Sequence, residues 1–311
     1  MRRFQQWIVY ALESAAIGLI FGFLRALPVD WASGVGGFLG RKFGPRFPVN
    51  KVGERNLRVA FPDKSEAEIQ TLVRASWDNL LRVFTEYSQL DRLWDKKPAI
   101  VDSQTDDRMH TAVEVHSRIE FADGERFYQM LHSGQPRILY TGHCGNWEVL
   151  PAVAARYGMP VAVIFRPPNS PYARQLVEKV RRRSMGRLVP TNTMGTAAIA
   201  AASLGRGESL GLLIDQYFGK GIDLPFFGRP ARTATTLAKL AQHFDCPITG
   251  AVVERLEGAR FRLHLLPDVE TPRTPQGKVD VPALMAVVTS RLEDWVRAHP
   301  DQYLWFHRRW R

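Results

Sequence analysis

Ile138-Leu139-Tyr140-Thr141-Gly142-His143-Cys144-Gly145-Asn146-Trp147-Glu148-Val149 is the stretch on which the rest of the 311-residue chain turns. A short apolar run ending at Thr141 reads as a strand, and the run from Val149 to Tyr157 reads as a helix. His143 therefore falls at a strand exit and Glu148 in the first helical turn. On one continuous helix, side chains five apart diverge by about 140° around the axis. The two can meet only across a bend, which Gly142 and Gly145 permit. A carboxylate beside an imidazole fixes its tautomer and stabilises the imidazolium formed on proton uptake. The helix start adds free N–H groups that suit an oxyanion or a phosphate. A capped helix start with a purely structural His-Glu pair has the same spacing. The setting at a strand-to-helix junction, where α/β proteins bind ligands, favours catalysis.

Outward from this corner the chain alternates. Strand candidates are Arg137–Thr141, Val161–Phe165, Leu188–Pro190, Leu210–Asp215 and Ile248–Val253, with Ala112–His116 before them. Helices fall near Val149–Tyr157, Tyr172–Met185, Thr196–Leu204 and Thr233–Phe244. Such alternation implies an α/β fold with a mostly parallel sheet flanked by helices. Phe261–Leu266 adds an antiparallel strand after Glu257-Gly258, and a last helix covers Val281–Ala298. Before residue 111 the pattern is helical. Ser65 and Glu68 form a capping box opening an amphipathic helix with the stripe Ile69, Leu72, Val73, Trp77, Leu80, Phe84 and Tyr87. The chain divides into an N-terminal anchor helix (1–28), a helical extension (29–110) and an α/β domain (111–311).

The anchor runs from Trp7 to Leu24, is interrupted by Glu13, and is closed by Arg25 and Pro28. Its uncharged part falls short of the roughly 20 residues of an unambiguous span. It reads as a retained helix that inserts in or lies on a membrane, basic end cytoplasmic. Gly18/Gly22 and Gly36/Gly40 are two GxxxG pairs that permit close helix packing. Arg41, Lys42, Arg46, Lys51, Arg55 and Arg58 follow, and they suit anionic headgroups. The net charge of +11 favours acidic partners: nucleic acid, anionic lipid, phosphorylated substrate or acidic carrier protein. Two distant cysteines exclude a disulfide framework, and no metal-ligand spacing occurs, so no metal is expected.

A parallel sheet gathers its strand exits on one side. There lie Arg166, in Phe165-Arg166-Pro167-Pro168-Asn169, and Asp215-Gln216, after Leu212-Leu213-Ile214. Arg166 suits a phosphate or a loop salt bridge. Asp215 suits orienting Arg166 or a substrate hydroxyl, or capping a helix. Gly219 to Pro230 reads as an irregular loop whose Leu224, Phe226 and Phe227 form an acyl-chain wall, a membrane-dipping lip, or core packing. Lys179, Arg181, Arg182, Arg183 and Arg187 read as dipole-complementing surface or a dock for an acidic carrier. The C-terminal Tyr303–Arg311 alternates aromatic and basic groups and can present Arg308 or Arg309 to an anion.

Taken in order, Gly142–Glu148, Phe165–Asn169, Ile214–Gln216, Pro225–Gly228 and Trp305–Trp310 resemble the motifs of the late acyltransferases of lipid A biosynthesis, relatives of the glycerolipid acyltransferases. Asn56–Pro62 matches as well. Cys144 departs from the family, which usually carries a bulky aromatic residue there. The resemblance implies acyl transfer from an acyl carrier protein thioester to a hydroxyl of a lipid A precursor at the cytoplasmic face of the inner membrane, with no nucleic acid involved. His143 would be the general base and Glu148 would hold its ring, with backbone N–H groups near Gly145 and Asn146 for the oxyanion. Arg166, Asn169, Asp215, Gln216, Asn146 and Arg308 would serve substrate binding. Other glycolipid or aminolipid acceptors remain open. A serine hydrolase is disfavoured by the lack of a G-x-S-x-G elbow. A non-enzymatic basic membrane- or nucleic-acid-binding protein explains the charge but not the alternating core around His143.

Overall fold

In a computed structural model of the chain, residues 2–94, 118–167, 174–175, 177–178, 180–181, 185–191 and 195–311 are described. The expected strand at Ala112–His116 lies outside them. Four helices come first: α1 (Arg2–Ala26), α2 (Val29–Phe43), α3 (Asn50–Ala60) and α4 (Glu66–Tyr87). The Ser65 capping box is formed: its hydroxyl accepts from the Glu68 N–H, and its own N–H donates to the Glu68 carboxylate. Ile69, Val73, Trp77 and Tyr87 of the expected stripe are buried, whereas Phe84 faces outward.

The α/β part follows as β1 (Ile119–Phe121), α5 (Gly124–His132), β2 (Ile138–Thr141), α6 (Val149–Arg156), β3 (Val161–Phe165), β4 (Arg187–Pro190), α7 (Thr196–Gly205), β5 (Ser209–Leu213), β6 (Ile222–Phe226), β7 (Arg229–Thr233), α8 (Thr236–Ala241), β8 (Ile248–Arg255), β9 (Phe261–Leu265) and α9 (Val281–Ala298). The described positions between 174 and 181 are helical, as the sequence suggests. The main sheet runs β1-β9-β8-β2-β5-β3-β4. Every neighbouring pair is parallel except β8–β9. Helices cover both faces. One apolar core holds Leu57 of α3 and Trp77 of α4 together with Leu210 and Leu212 of β5. The helical extension thus shares its interior with the sheet.

Two readings of the sequence change. The stretch after Gly219 is not irregular: β6 and β7 form an antiparallel hairpin in which Pro225 faces Pro230. The turn residues Phe227 and Gly228 both have positive φ, 52° and 70°, as a tight two-residue hairpin requires. Prolines are tolerated because they oppose each other in a ribbon of two edge strands. Leu224, Phe226 and Phe227 are buried against Trp305 and Trp310, so they form core rather than a chain wall or membrane lip. Second, the helix expected from Thr233 starts only at Thr236, because Thr233 ends β7.

Among the described residues no helix is long and apolar enough to cross a membrane. The GxxxG pairs diverge in use. A Cβ on Gly18 or Gly22 would meet nothing within 4 Å. A Cβ on Gly36 would fall 2.5 Å from the Leu81 carbonyl oxygen, and one on Gly40 would overlap the Trp77 carbonyl. The α2 backbone therefore lies directly against α4, where Arg41 pairs with Asp78. Gly36→Ala or Gly40→Ala should destabilise the protein by about 1–3 kcal/mol through overpacking, lowering the melting temperature by several degrees. Gly18→Ala should be neutral or slightly stabilising, because alanine is the better helix former.

Candidate active site

β2 and β5 are adjacent and parallel, with Thr141 opposite Leu213. The residues just past their ends, His143 and Asp215, therefore meet. The Asp215 carboxylate accepts two hydrogen bonds from the same residue: Oδ2 from the His143 backbone N–H at 2.9 Å and Oδ1 from ring Nδ1 at 2.8 Å. Asp215 is buried. Burial alone would raise its pKa, but the imidazole, its hydrogen bonds and the Arg309 guanidinium hold it down at about 2. A charged Asp215 on Nδ1–H leaves Nε2 as the basic atom, and Gln216 Nε2 approaches it at 3.3 Å. Burial disfavours the imidazolium, yet the fields of Asp215 and, less strongly, Glu148 outweigh it and raise the His143 pKa above the ordinary histidine value. Trp147 packs edge-on against the imidazole, ring centroids 4.9 Å apart.

Glu148 does not hold the ring, contrary to the reading of the His-x4-Glu spacing. Its carboxylate accepts from Arg181 Nη2 at 2.8 Å, and Arg181 Nε donates to the Tyr87 hydroxyl at 2.9 Å. Arg181 also stacks on Phe165, 4.8 Å from the ring centre. This residue, taken from sequence as part of a surface cluster, is largely enclosed. Arg187 of that cluster pairs with Glu208, and Lys179, Arg182 and Arg183 lie outside the described residues.

The corner itself is held from behind. Gly145 has φ of 55°, and a Cβ there would overlap the Val253 carbonyl. Its N–H donates to the Gln302 carbonyl, so it is spent and does not face an oxyanion. Its carbonyl accepts from Asn79 Nδ2 at 2.9 Å. The Asn146 side chain is turned inward, not toward a substrate: Nδ2 donates to Glu86 Oε2 at 2.7 Å, and Oδ1 accepts from the Glu148 N–H. Glu86, fully buried, is paired with Arg255 at 2.5 and 2.9 Å. The C-terminal segment closes the other side. Leu304 N–H donates to the His143 carbonyl, and Cys144 and Tyr303 form an antiparallel bridge. Buried Arg309 ties this segment to the carbonyls of Gln216 and Arg232, and His307 Nε2 accepts from the Tyr217 N–H.

Of the remaining sequence candidates, Arg166 is exposed at the β3 exit and does not meet Asp215, whose partner is His143. Gln216 and Arg308 are exposed, and Asn169 lies outside the described residues. Cys144 is buried; burial and the nearby Asp215 push its pKa well up, so it is a neutral thiol and not a nucleophile. Beside the corner lies a largely apolar cavity of about 90 Å³. Its polar end is formed by Thr141, Trp147, Glu148 and Arg181, and its depth by side chains of α5, α6 and the sheet.

A basic imidazole clamped by an acid next to a greasy cavity is equipped to deprotonate an alcohol beside an apolar chain. Comparison with known families agrees with that chemistry. Residues 3–311 match the bacterial lipid A biosynthesis acyltransferases. The chain belongs to that family. It is accordingly an acyl-transferring enzyme of bacterial lipid A synthesis. A search of curated proteins gave no match.

Because Nε2 must be unprotonated to act as a base, kcat/KM for acyl transfer should rise with pH through a pKa above about 6.5. The sign for stability is opposite: the raised His143 pKa contributes stability below its ordinary value that is lost as pH rises through the folded value. Asp215→Asn removes the anion that favours the imidazolium. Its acid limb should shift to lower pH and its maximal rate should fall on the order of 10²–10⁴-fold. A pH–rate profile of purified protein checks both. Cys144→Ala should retain nearly full activity; an inactive but folded variant would count against an inert thiol.

Proposed function

We propose that the protein transfers a fatty acyl group from an acyl carrier protein thioester to a hydroxyl of a lipid A precursor, with His143 as general base. The observation that supports this most is the position of His143, clamped by Asp215 and packed against Trp147, which lines the apolar cavity. The acyl chain occupies the cavity and places its thioester carbonyl near Thr141 and Trp147. Nε2 takes the proton of the acceptor hydroxyl as the oxygen attacks that carbonyl, and Asp215 stabilises the resulting imidazolium. The thioester C–S bond then breaks, and the proton passes from Nε2 to the departing thiolate. Backbone N–H groups of Asn146 and Trp147, ahead of α6, serve the oxyanion in place of the committed Gly145 amide. Glu148 acts through its field on the imidazole and through Arg181. Exposed Arg166 and Arg308, with Gln216 and Asn169, serve the acceptor and its phosphates. A thioester is already activated, so this step routes through no metal or redox cofactor.

Membrane attachment follows from α1 and α2. The buried face of α2 carries Ala32, Gly36, Gly37 and Gly40 against α4, and its opposite face exposes Trp31, Val35, Phe38 and Leu39. Leu19, Ile20 and Phe23 of α1 are exposed as well. Arg41, Lys42 and Arg46 follow at the end of that apolar face. An apolar stripe with a basic border suits a helix lying in the headgroup region of an anionic leaflet. This supports attachment at the cytoplasmic face of the inner membrane without requiring a spanning segment.

With radiolabelled acyl donor and purified lipid A precursor, His143→Ala should lose transfer by at least about 10²-fold while melting as the unsubstituted protein does. Glu148→Gln should lower the rate less. Mass spectrometry of membrane lipids from cells with and without the protein should show an acyl increment on lipid A. Near-normal turnover by His143→Ala would overturn the base assignment, and an increment on another lipid would reassign the acceptor.

A further inference from the structure

The apolar cavity cuts into the middle of the sheet, and its floor has a gap at one residue. Leu139 of β2, Gly211 of β5 and Val163 of β3 lie in register across three interior strands. All three are part-exposed, although their strands are flanked on both sides. The surface they expose lines the cavity. Gly211 stands between two branched side chains and contributes none. A glycine in a strand interior weakens the strand and often marks a place where a ligand comes close. Its backbone is not in the left-handed region, so no turn geometry demands it. Close packing does not demand it either: a Cβ on Gly211 would sit 3.7 Å from Val161 and Val163, ordinary contact distance. Gly250 of β8, on the far side of β2, is the contrast, because a Cβ there would fall 2.7 Å from Leu266 and 2.9 Å from Tyr140. Gly250 is required by its neighbours; Gly211 is required only by the space above it.

We infer that Gly211 sets the depth of the acyl-chain site and with it the chain length the enzyme prefers, an inference that rests on the cavity being the acyl site. The cavity is lined from Thr141, Trp147 and Glu148, next to His143 at the strand exits, back along the strands to Val161. Gly211 is four residues before Asp215, roughly 13 Å at the rise of an extended strand. A chain entering with its carbonyl at the corner therefore passes over Gly211 with its distal methylenes. Any side chain there occupies the volume those methylenes need, while valine or leucine suits a strand interior.

The test uses the full-length protein with substitutions Gly211→Ala and Gly211→Leu, and saturated acyl carrier protein thioesters from decanoyl to palmitoyl. Thermal melting verifies folding. The expected result is a graded shift toward shorter donors. The ratio of kcat/KM for long over short donors should fall on the order of tenfold or more in Gly211→Leu, with the rate on the shortest donor retained. Should Gly211→Leu fail to fold, the smaller shift in Gly211→Ala carries the test. An unchanged chain-length profile in a folded variant overturns the inference. Free fatty acids of graded length, scored by thermal stabilisation, separate this inference from the reaction assigned above. If the unsubstituted protein transfers nothing, yet long fatty acids stabilise it and not Gly211→Leu, the chain site stands and the reaction falls. If all lengths stabilise both proteins alike, Gly211 does not set the depth.

Discussion

One carboxylate, Asp215, fixes the His143 imidazole twice, by its ring nitrogen and by the residue's own backbone N–H. Two bonds to one residue define the position and the rotation of the side chain together, which a single contact does not. The clamp exists only because β2 and β5 are neighbours running the same way, so that their carboxyl ends deliver His143 and Asp215 to one point. Parallel order in turn needs helical crossovers, and these cover both faces of the sheet and enclose the acid. An enclosed carboxylate would ordinarily become neutral. The imidazole and Arg309 keep it ionised, so the charge that tunes the base is held by the base itself and by the C-terminal segment.

A second buried ionic group supports the corner from the far side. Glu86 of α4 receives Arg255, Asn146 and Ser33, while Asn79 of α4 holds the Gly145 carbonyl. Such a pair contributes little net stability relative to apolar packing, but loss of one member strands a buried charge at a cost of several kcal/mol. Its use here is directional. It joins the helical extension, the last residues of β8 and the His143 loop in one hydrogen-bonded unit, so the corner keeps its left-handed turn at Gly145 without borrowing the substrate for support.

The fold was largely legible from periodicity, because strands β2, β3 and β5 are short apolar runs closed by polar residues and α4 carries a capping box. Strand ends gave the site its address, and His143, Glu148 and Asp215 were all singled out. The pairing among them was not legible. A spacing of five suggests that His143 meets Glu148, whereas strand adjacency, a property of the sheet order, joins His143 to residue 215. Arg181 was hidden for a similar reason: a basic run looks like solvated surface until Tyr87, sequence-distant on α4, is brought against it. The hairpin of β6 and β7 escaped because prolines usually argue against strands, and only their mutual pairing removes the objection. Gly211 carried no signal, since a lone glycine in a strand cannot be distinguished from a weak point until the space beside it is seen.

The pairing of Glu148 with Arg181 follows from what the cavity must hold. A lone carboxylate at the mouth of an apolar chamber would pay its desolvation by taking up a proton. It would then neither act on His143 nor stay fixed. The guanidinium supplies the countercharge and lies over the Phe165 ring, with the Tyr87 hydroxyl as a further partner. The Glu148 carboxylate favours the imidazolium, though with less force than Asp215. The His-x4-Glu spacing therefore delivers an electrostatic partner rather than a hydrogen-bonded one. A field acting without contact adds no hydrogen-bond partner at Nε2, where the exposed Gln216 amide, 3.3 Å away, is the group an incoming hydroxyl has to displace.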